Sequence, residues 1–398
     1  MRKKICVYTC ITGGYDNLHE IDNPEKNVDY YCFTNNKNLK SKTWKVVQIE
    51  DGSLDNCRLA RKTKILGHPS IDGKYDIYVW SDADVVWQKK ISEFVKTFLK
   101  EAPFAIFKHH SRKSIREEAI ACLTCRKDSK DIIKKTLDFY DEVGYEDDNG
   151  LYESTVFISR RNEAVVQKTM QCWFEMVRNY SRRDQLSFSY AIWKNDLKVD
   201  AIELNVWSND WFVTEKHAGK GSMEDCHLYY GDLNSDEFDF EKYHVVNYDK
   251  NGDCYSVEDM VPVDTSKIEI NPTNLVGACY LEAKFVPTNA RVELVGLFEY
   301  KNKRVFCGGC NTVVVNGEFK KGQKIEFTIK MRELEGSEVV DFMEQAWVKE
   351  TKTTQEINAL KAKVEQLELS VQRFDEIRKS RIWRLASSAR KAIRKVKQ

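Results

Sequence analysis

Apolar residues over the first 200 positions fall into short runs of strand length, separated by longer segments with helical spacing. Runs rich in β-branched and aromatic residues predict strands at 4–10, 29–34, 44–49, 75–80, 104–107 and 152–159. Helical spacing predicts helices at 55–66, 91–100, 130–143 and 162–178, and further helices that begin near Ser114 and Ser181. This alternation of strand and helix predicts a doubly wound α/β sheet.

The pattern changes at 262–272, where prolines bound a different kind of segment. Between 273 and 345, short β-rich runs alternate with glycine, asparagine and proline, which is typical of a small antiparallel β-sandwich. We therefore expect a first domain at 1–262 and an accessory β-module at 263–346. The module shows no evident catalytic residues.

Six apolar residues in the segment 347–379 follow 3,4,3,4,3 spacing: Ile357, Leu360, Val364, Leu367, Val371 and Phe374. This heptad pattern predicts a parallel coiled-coil homodimer. The flanking charges agree, because Glu356 would meet Lys361 of the partner helix and Lys363 would meet Glu368. A helix packed on its own domain would show the same apolar stripe, so that alternative stays open.

The last segment, 380–398, carries an apolar stripe on one helical face and basic residues on the other. From Arg378 to the end there are nine basic residues and no acidic ones, so the rest of the chain is acidic overall. This pattern predicts a helix that lies on an anionic membrane surface, with Trp383 at the boundary. Nucleic acid is the competing partner of a basic arm. The apolar stripe and the net negative charge of the rest of the chain favour a membrane over nucleic acid, so we expect no nucleic acid partner.

Composition places the chain among globular proteins. Its 398 residues are 42% hydrophobic and 12% aromatic. The basic start leads into a short interrupted apolar run that suits a first strand better than a signal peptide, and no window reaches the roughly 20 apolar residues of a membrane span. Twelve cysteines without a secretion signal indicate a reducing compartment. For the pairs Cys122/Cys125 and Cys307/Cys310, structural roles are favoured over zinc or redox chemistry. We expect a cytoplasmic protein bound peripherally to the inner face of the cytoplasmic membrane.

Two acidic residues follow the run 75–80, at the point where the predicted strand ends in Ser81-Asp82-Ala83-Asp84. Carboxylates one residue apart can turn toward one point and hold a hard divalent cation. Ligands of open α/β sheets bind at this edge. A cation held by two carboxylates keeps positions open for diphosphate oxygens. The pattern predicts a metal and nucleotide-diphosphate site, with a polar strand end or a helix cap as the alternative.

Other polar groups suit the same chemistry. The pair Gly13-Gly14 follows the first strand, where glycine lets the backbone approach a ligand closely, although a plain turn needs the same residues. Arg58 and Arg61 share a helix face at a spacing that suits phosphates, with a solvated basic face as the alternative. The run Lys108-His109-His110 follows the strand 104–107 and can bind phosphate or sugar hydroxyls. His217 is a candidate metal or phosphate ligand, and a structural histidine is the alternative.

Several motifs, in order along about 250 residues, resemble a glycosyltransferase family of GT-A type. The family was formerly described as a domain of unknown function, and its plant members include pectin galacturonosyltransferases of mucilage. The motifs are YTCITGGYD (8–16), YYCFT (30–34), RLARKTKILGH (58–68), YVWSDADV (78–85), FKHHSRKSIREEA (107–119), GLYESTVFISRRN (150–162) and RRDQLSFSYAIW (182–193). The tail RKSRIWRL also resembles a segment of bacterial surface-polysaccharide glycosyltransferases.

The resemblance implies a GT-A-like mixed sheet and a nucleotide-sugar donor. It implies Mn²⁺ or Mg²⁺ on Asp82 and Asp84, with His217 as a third ligand. Asp184 and Gln185 would face the donor sugar and Glu153 the acceptor. The expected donor-binding set is Thr9, Thr12, Gly13, Gly14, Tyr15, Arg58, Arg61, Lys64, Ser81 and Lys108. The chain departs from the family at Arg161-Asn162, where a histidine is usual.

Together these features predict a metal-dependent glycosyltransferase, of hexosyl or uronosyl type, that extends a surface polysaccharide on a glycan or lipid-linked glycan acceptor. If the reaction inverts, Asp184 or Glu153 would deprotonate the acceptor; if it retains, they would stabilise an oxocarbenium-like transition state. A phosphatase of haloacid-dehalogenase type with Asp82 as nucleophile is one alternative. A non-catalytic glycan-binding scaffold that acts through the β-module is the other.

Overall fold

The computed structural model describes residues 4–14, 16–214, 225–233, 238–273, 275–287, 290–295, 297–307, 312–334 and 342. A compact unit spans Met1–Phe342, and the second unit, Met343–Gln398, lies outside the described residues. The predicted coiled coil at 347–379 and the basic helix at 380–398 therefore stay predictions, as do the placements of Tyr15 and His217. None of the described helices is long and apolar enough to cross a bilayer.

The N-terminal half of the chain forms nine strands, two of which make a small separate pair. They are β1 (Ile5–Ile11), β2 (Val28–Thr34), β3 (Lys45–Gln48), β4 (Ile77–Ser81), β5 (Val85–Trp87), β6 (Phe104–Lys108), β7 (Tyr152–Ser159), β8 (Asp200–Ile202) and β9 (Phe212–Thr214). The main sheet has the order β3-β2-β1-β4-β7-β6-β8. Strand β7 runs antiparallel to both of its neighbours, and the other pairings in the sheet are parallel. Strand β5 pairs with β9.

The helices of this half follow the predicted pattern closely. They are α1 (Asn56–Leu66), α2 (Ile91–Phe98), α3 (Ile115–Thr124), α4 (Lys130–Glu142), α5 (Ala164–Asn179) and α6 (Phe188–Asn195). Ser114 caps α3, since its side chain accepts a hydrogen bond from the Glu117 backbone N–H. The helix predicted from Ser181 begins later, because Asp184–Leu186 forms a 3-10 turn before α6.

Both faces of the main sheet are apolar, which is why helices cover it on two sides. In β1, Tyr8 packs in the cluster that contains Leu59 of α1 and Trp173 of α5. Its neighbour Val7 faces the other way, into the cluster that contains Phe94 of α2. Full burial of a side chain such as Phe94 contributes about 1.5–3 kcal/mol. The mixed α/β class with a parallel-containing sheet is confirmed.

A second group of strands, in which every pairing is antiparallel, begins at Asp225, earlier than the predicted boundary near 263. They are β10 (Asp225–Tyr229), β11 (Tyr243–Asn247), β12 (Asp249–Asn251), β13 (Cys254–Met260), β14 (Thr265–Asn271), β15 (Val276–Val286), β16 (Arg291–Val295), β17 (Phe298–Tyr300), β18 (Lys303–Cys307), β19 (Thr312–Phe319) and β20 (Lys324–Glu333). They form two sheets, β11-β10-β14-β19-β16 and β12-β13-β20-β15-β18-β17. Residues of both sheets share one core, for example Ile270 and Phe327. Strands β10 to β13, predicted within the first domain, thus pair with those of the β-module.

The C-terminal end of α1 is fixed to the sheet by Tyr8 and Arg161. The Tyr8 hydroxyl donates to the Lys64 carbonyl at 2.7 Å, and Arg161 Nη2 donates to that hydroxyl at 2.5 Å and to the Ile65 carbonyl at 3.1 Å. Arg161 therefore has a structural role. It holds the helix that carries Lys64.

Replacing Gly67 with alanine should destabilise the protein more than the same change at Gly73. Both glycines have positive φ, of 75° and 70°, where an L-residue costs roughly 1–2 kcal/mol. A Cβ at Gly67 would also overlap the buried Arg161 guanidinium, whereas nothing lies within 4 Å of one at Gly73. Urea unfolding of both variants measures the difference, and equal losses would contradict the packing described for Arg161.

Candidate functional site

Polar residues gather at one edge of the main sheet, which we call the active edge. Strands β1, β2, β4 and β6 all end there, and the antiparallel β7 begins there. Gly13, Asp82, Lys108 and Glu153 therefore stand at the same edge. Strand β1 has β2 on one side and β4 on the other, so the chain order reverses beside the end of β4. Ligands of open α/β sheets bind at such a reversal.

Asp82 and Asp84 leave β4 in a tight turn toward β5. The Asp82 backbone N–H donates to the Thr155 carbonyl of β7 at 2.9 Å, and the Val85 N–H donates to the Asp82 carbonyl at 3.2 Å. The Asp82 Oδ1 accepts hydrogen bonds from Trp80 Nε1 at 2.6 Å and from Lys64 Nζ at 3.3 Å. The Asp82 side chain is 30% exposed, and Asp84 is half-buried. These contacts hold the Asp82 carboxylate at the exit of the central strand.

Lys64 lies beneath Asp82 in a buried ionic cluster. Its Nζ is 2.9 Å from Asp184 Oδ2 and donates to Ser154 Oγ at 3.0 Å, while Ser154 Oγ donates to Asp184 Oδ2 at 2.8 Å. The side chains of Lys64 and Asp184 are 1% and 2% exposed. Arg61 Nε is 3.4 Å from Asp184 Oδ1. Lys64 therefore joins Asp82 to the interior instead of reaching toward solvent.

A bulge in β7 places Ser154 in this cluster. The pairing with β6 jumps from Ile106 opposite Phe157 to Phe107 opposite Glu153. Extra residues in one strand bend it and redirect its side chains. Ser154 thereby turns toward Lys64 while Glu153 turns toward the end of β6. No pattern in the sequence indicated this contact.

Neighbouring cationic side chains keep the Asp184 carboxylate ionised. Burial alone would raise the pKa of its carboxyl, but Arg61, Lys64 and Arg183 outweigh burial and hold the pKa well below its usual range. Burial would likewise lower the pKa of Arg61, yet Asp184 and Asp82 raise it. A carboxylate with so low a pKa takes up protons poorly, so Asp184 is a weak candidate for a general base.

The glycine loop after β1 is held against the first turn of α1. The Gly13 N–H donates to Asn35 Oδ1 at 3.0 Å, and Asn35 Nδ2 donates to Asn56 Oδ1 at 2.9 Å. The Thr12 hydroxyl donates to the Asn56 carbonyl at 2.7 Å. Gly13 and Gly14 are exposed, with φ near 63° and 64°. Their backbone is thus exposed at the active edge.

The remaining predicted residues have varied surroundings. Arg58 binds Asp55 and donates to the carbonyls of Val177 and Tyr180, so it joins α1 to the end of α5. The other positions are as follows: Thr9 and Ser81 are buried in their strands, Lys108 is exposed and 3.2 Å from Glu203, and Gln185 Nε2 is 3.5 Å from the Tyr152 carbonyl.

A second cluster at the active edge contains His109, His110 and Glu153. Their candidate ligand atoms all lie within 4.8 Å of one another, a spacing that a metal ion could use. His110 Nδ1 is 3.0 Å from Glu153 Oε1, and His109 Nε2 is 3.6 Å from the same oxygen. The histidine run was recognised in the sequence, but its contact with Glu153 was not. That contact depends on the pairing of β6 with β7.

A cavity of about 240 Å³ opens elsewhere, between the loop after β3 and the helices α1 and α5. Its lining includes Asp51, Lys62, Phe174 and Arg178. No residue of the active edge lines it. The chemistry at the end of β4 is therefore independent of this cavity.

A mixed α/β sheet with acidic residues at its reversal point defines a class of nucleotide-binding α/β protein. Comparison with known families narrows that class. The chain belongs to the TOD1/MUCI70 glycosyltransferase-like domain family, whose sequence model matches residues 1–214. No curated protein matches the chain. The family match makes the protein a glycosyltransferase and favours this activity over the phosphatase and the scaffold.

Proposed function

We propose that the protein transfers a sugar from a nucleotide-diphosphate donor, bound through a divalent cation on Asp82 and Asp84, to a glycan acceptor. The supporting observation is the position of the two carboxylates at the exit of β4, inside the part of the chain that the family match covers. The glycine loop after β1 stands at the same edge, where it can face the nucleotide.

The donor set at this site suits a hard cation. Both side chains offer carboxylate oxygens, which Mn²⁺ and Mg²⁺ prefer, and two protein ligands leave positions for phosphate oxygens. His217 is the proposed third ligand. It follows Thr214 by three residues in the sequence, and Thr214 pairs with Val85, the residue next to Asp84. When bound, the cation would neutralise the charge that develops on the departing diphosphate.

Glu153 is the better of the two candidate bases. Its side chain is 4% exposed, and its Oε1 faces His109 and His110. Among the described residues, no hydrogen-bond partner reaches its buried Oε2. A buried acceptor without a partner is costly, so a substrate hydroxyl that donates to Oε2 would satisfy it. In an inverting reaction, that oxygen would take the acceptor proton.

The acceptor, the assembly and the location are proposed from the sequence of the C-terminal region. The tail RKSRIWRL supports a surface polysaccharide acceptor of glycan or lipid-linked type. The heptads between 357 and 374 support a parallel homodimer, and the basic stripe of 380–398 supports binding to the inner face of the cytoplasmic membrane. Vesicles with anionic lipid would bind the full chain and release it in high salt.

A nucleotide-sugar panel with a Glu153→Gln variant tests the proposal. The wild-type protein with Mn²⁺ should release nucleoside diphosphate from one donor when an acceptor is present. Glu153→Gln should lower kcat by roughly 10²–10⁴-fold, the usual contribution of a general base. It should leave nucleotide affinity unchanged. Glu142→Gln, an exposed change on α4, is the control. Full activity of Glu153→Gln would exclude the assigned base.

A further inference from the structure

The ring of His109 is held in one tautomer by the chain that follows it. The residue stands directly after β6, and its backbone N–H donates to the Leu151 carbonyl at 2.8 Å. Its Nδ1 accepts the backbone N–H groups of Ser111 at 3.2 Å and Arg112 at 3.0 Å. A nitrogen that accepts two N–H bonds carries no proton, so the proton of the neutral ring lies on Nε2.

The protonated Nε2 faces two buried carboxylates. It is 3.6 Å from Glu153 Oε1 and 3.9 Å from Glu118 Oε2. Glu118 already has a cation, because Arg112 Nε donates to its Oε2 at 2.6 Å. The distance to Glu153 is slightly longer than a hydrogen bond, and such contacts in enzymes often shorten when substrate binds.

Coordination of a metal by His109 conflicts with this arrangement. A cation on Nε2 would force the ring proton onto Nδ1. That proton would then point at the backbone N–H groups of Ser111 and Arg112, which would lose their acceptor. The ring also stays uncharged. Burial first, and then Arg112 and His110, lower the pKa of His109 to about 3. His109 thus acts as a neutral donor with its N–H directed at Glu153.

We propose that His109 is a positioning residue: its Nε2–H orients the Glu153 carboxylate so that Oε2 faces the acceptor hydroxyl. His110 completes the arrangement from the solvent side, since it is 35% exposed and its Nδ1 lies 3.0 Å from Glu153 Oε1. Its ring stacks on that of His109, with 5.1 Å between the centroids. This inference rests on the proposed role of Glu153 in the transfer reaction.

Two substitutions at His109 separate the functions of its two nitrogens. In His109→Asn, the amide oxygen can replace Nδ1 as acceptor for the two backbone N–H groups, but nothing replaces the Nε2 proton. In His109→Gln, the amide nitrogen reaches the place of Nε2 and can donate to Glu153. Misplacement of a reacting group by about 1 Å costs on the order of 10²-fold in rate. We therefore expect His109→Asn to lower kcat by about that factor and His109→Gln to recover most of it.

Nucleotide affinity should stay within about twofold of wild type in both variants, because the proposed donor site lies on Asp82 and Asp84 and does not include His109. A tenfold loss of affinity would require the loss of about 1.4 kcal/mol of binding free energy. Wild-type kcat in His109→Asn would overturn the proposal, as would equal losses in both variants. If Mn²⁺ or Zn²⁺ bound the wild-type protein stoichiometrically and His109→Asn removed that site, the cluster would be a metal centre instead.

Nitrogen NMR of the full chain with ¹⁵N-labelled histidine provides a readout that needs no turnover. The His109 signal, assigned by its loss in His109→Asn, should show the Nε2–H tautomer at pH 7 and should shift in Glu153→Gln. A proton on Nδ1, or no response to Glu153→Gln, would overturn the inference. A wild-type protein that uses no nucleotide sugar would refute the proposed function, while the NMR result still decides the contact between His109 and Glu153.

Discussion

Replacing Lys64 with methionine should lower the free energy of unfolding by about 3–5 kcal/mol, the usual cost of breaking a buried ion pair by removing one partner. Methionine fills a similar volume but leaves Asp184, 2% exposed, without its nearest cation. It also removes the donors to Ser154 and Asp82. Urea or thermal unfolding measures the loss.

Lys62→Met on the same helix is the matched control. Lys62 pairs with Asp51 at 2.8 Å, but its side chain is 41% exposed, and exposed pairs contribute about 0–1 kcal/mol. Adding Asp184→Asn to Lys64→Met should restore part of the stability, because it removes the unpaired buried charge. If Lys64→Met and Lys62→Met were equally stable, the buried cluster would not exist in solution.

Asp84→Asn and Asp82→Asn should each lower turnover of the nucleotide sugar by about 10²–10³-fold or more, the range for loss of one stabilising group at a developing charge. Asparagine keeps the shape of the side chain but lacks the charge that holds a cation. Asp82→Asn should also fold, because its amide oxygen can still accept from Trp80 and because Lys64 keeps its closer partner Asp184.

Asp138→Asn, an exposed change on α4, is the control for these variants. Its turnover should equal that of wild type. Thermal unfolding of all three variants separates loss of chemistry from loss of structure. Full turnover by Asp84→Asn would contradict a cation site at the end of β4.

The sheet could be predicted because the apolar pattern of each strand is visible in the sequence of that strand alone. Strand β1 alternates residues of two apolar faces, and β4 is buried along its whole length. A run that is apolar on both sides suits a central parallel strand. Asp82 and Asp84 follow such a run directly, so their position at the active edge followed from the strand assignment.

The roles of the basic residues in α1 could not be predicted in the same way. Arg58 and Arg61 looked like a phosphate-binding face, and the family resemblance put Lys64 in the same donor-binding set. In the structure, Arg58 joins α5 and Lys64 pairs with Asp184, 120 positions away in the chain. Charge and helical spacing do not reveal a partner on a distant segment, because tertiary packing decides it. The contact of Glu153 with His109 likewise depends on a strand pairing and a bulge that no local pattern records.

Calorimetric titration of the wild-type protein with the common nucleoside diphosphates, in Mn²⁺ and then in EDTA, tests the central claim most directly. We predict that one diphosphate binds in Mn²⁺, that EDTA weakens its binding at least tenfold, and that Asp84→Asn binds it no better in Mn²⁺ than wild type does in EDTA. Equal affinity in Mn²⁺ and EDTA, unchanged by Asp84→Asn, would contradict a donor site built on the carboxylates that end β4.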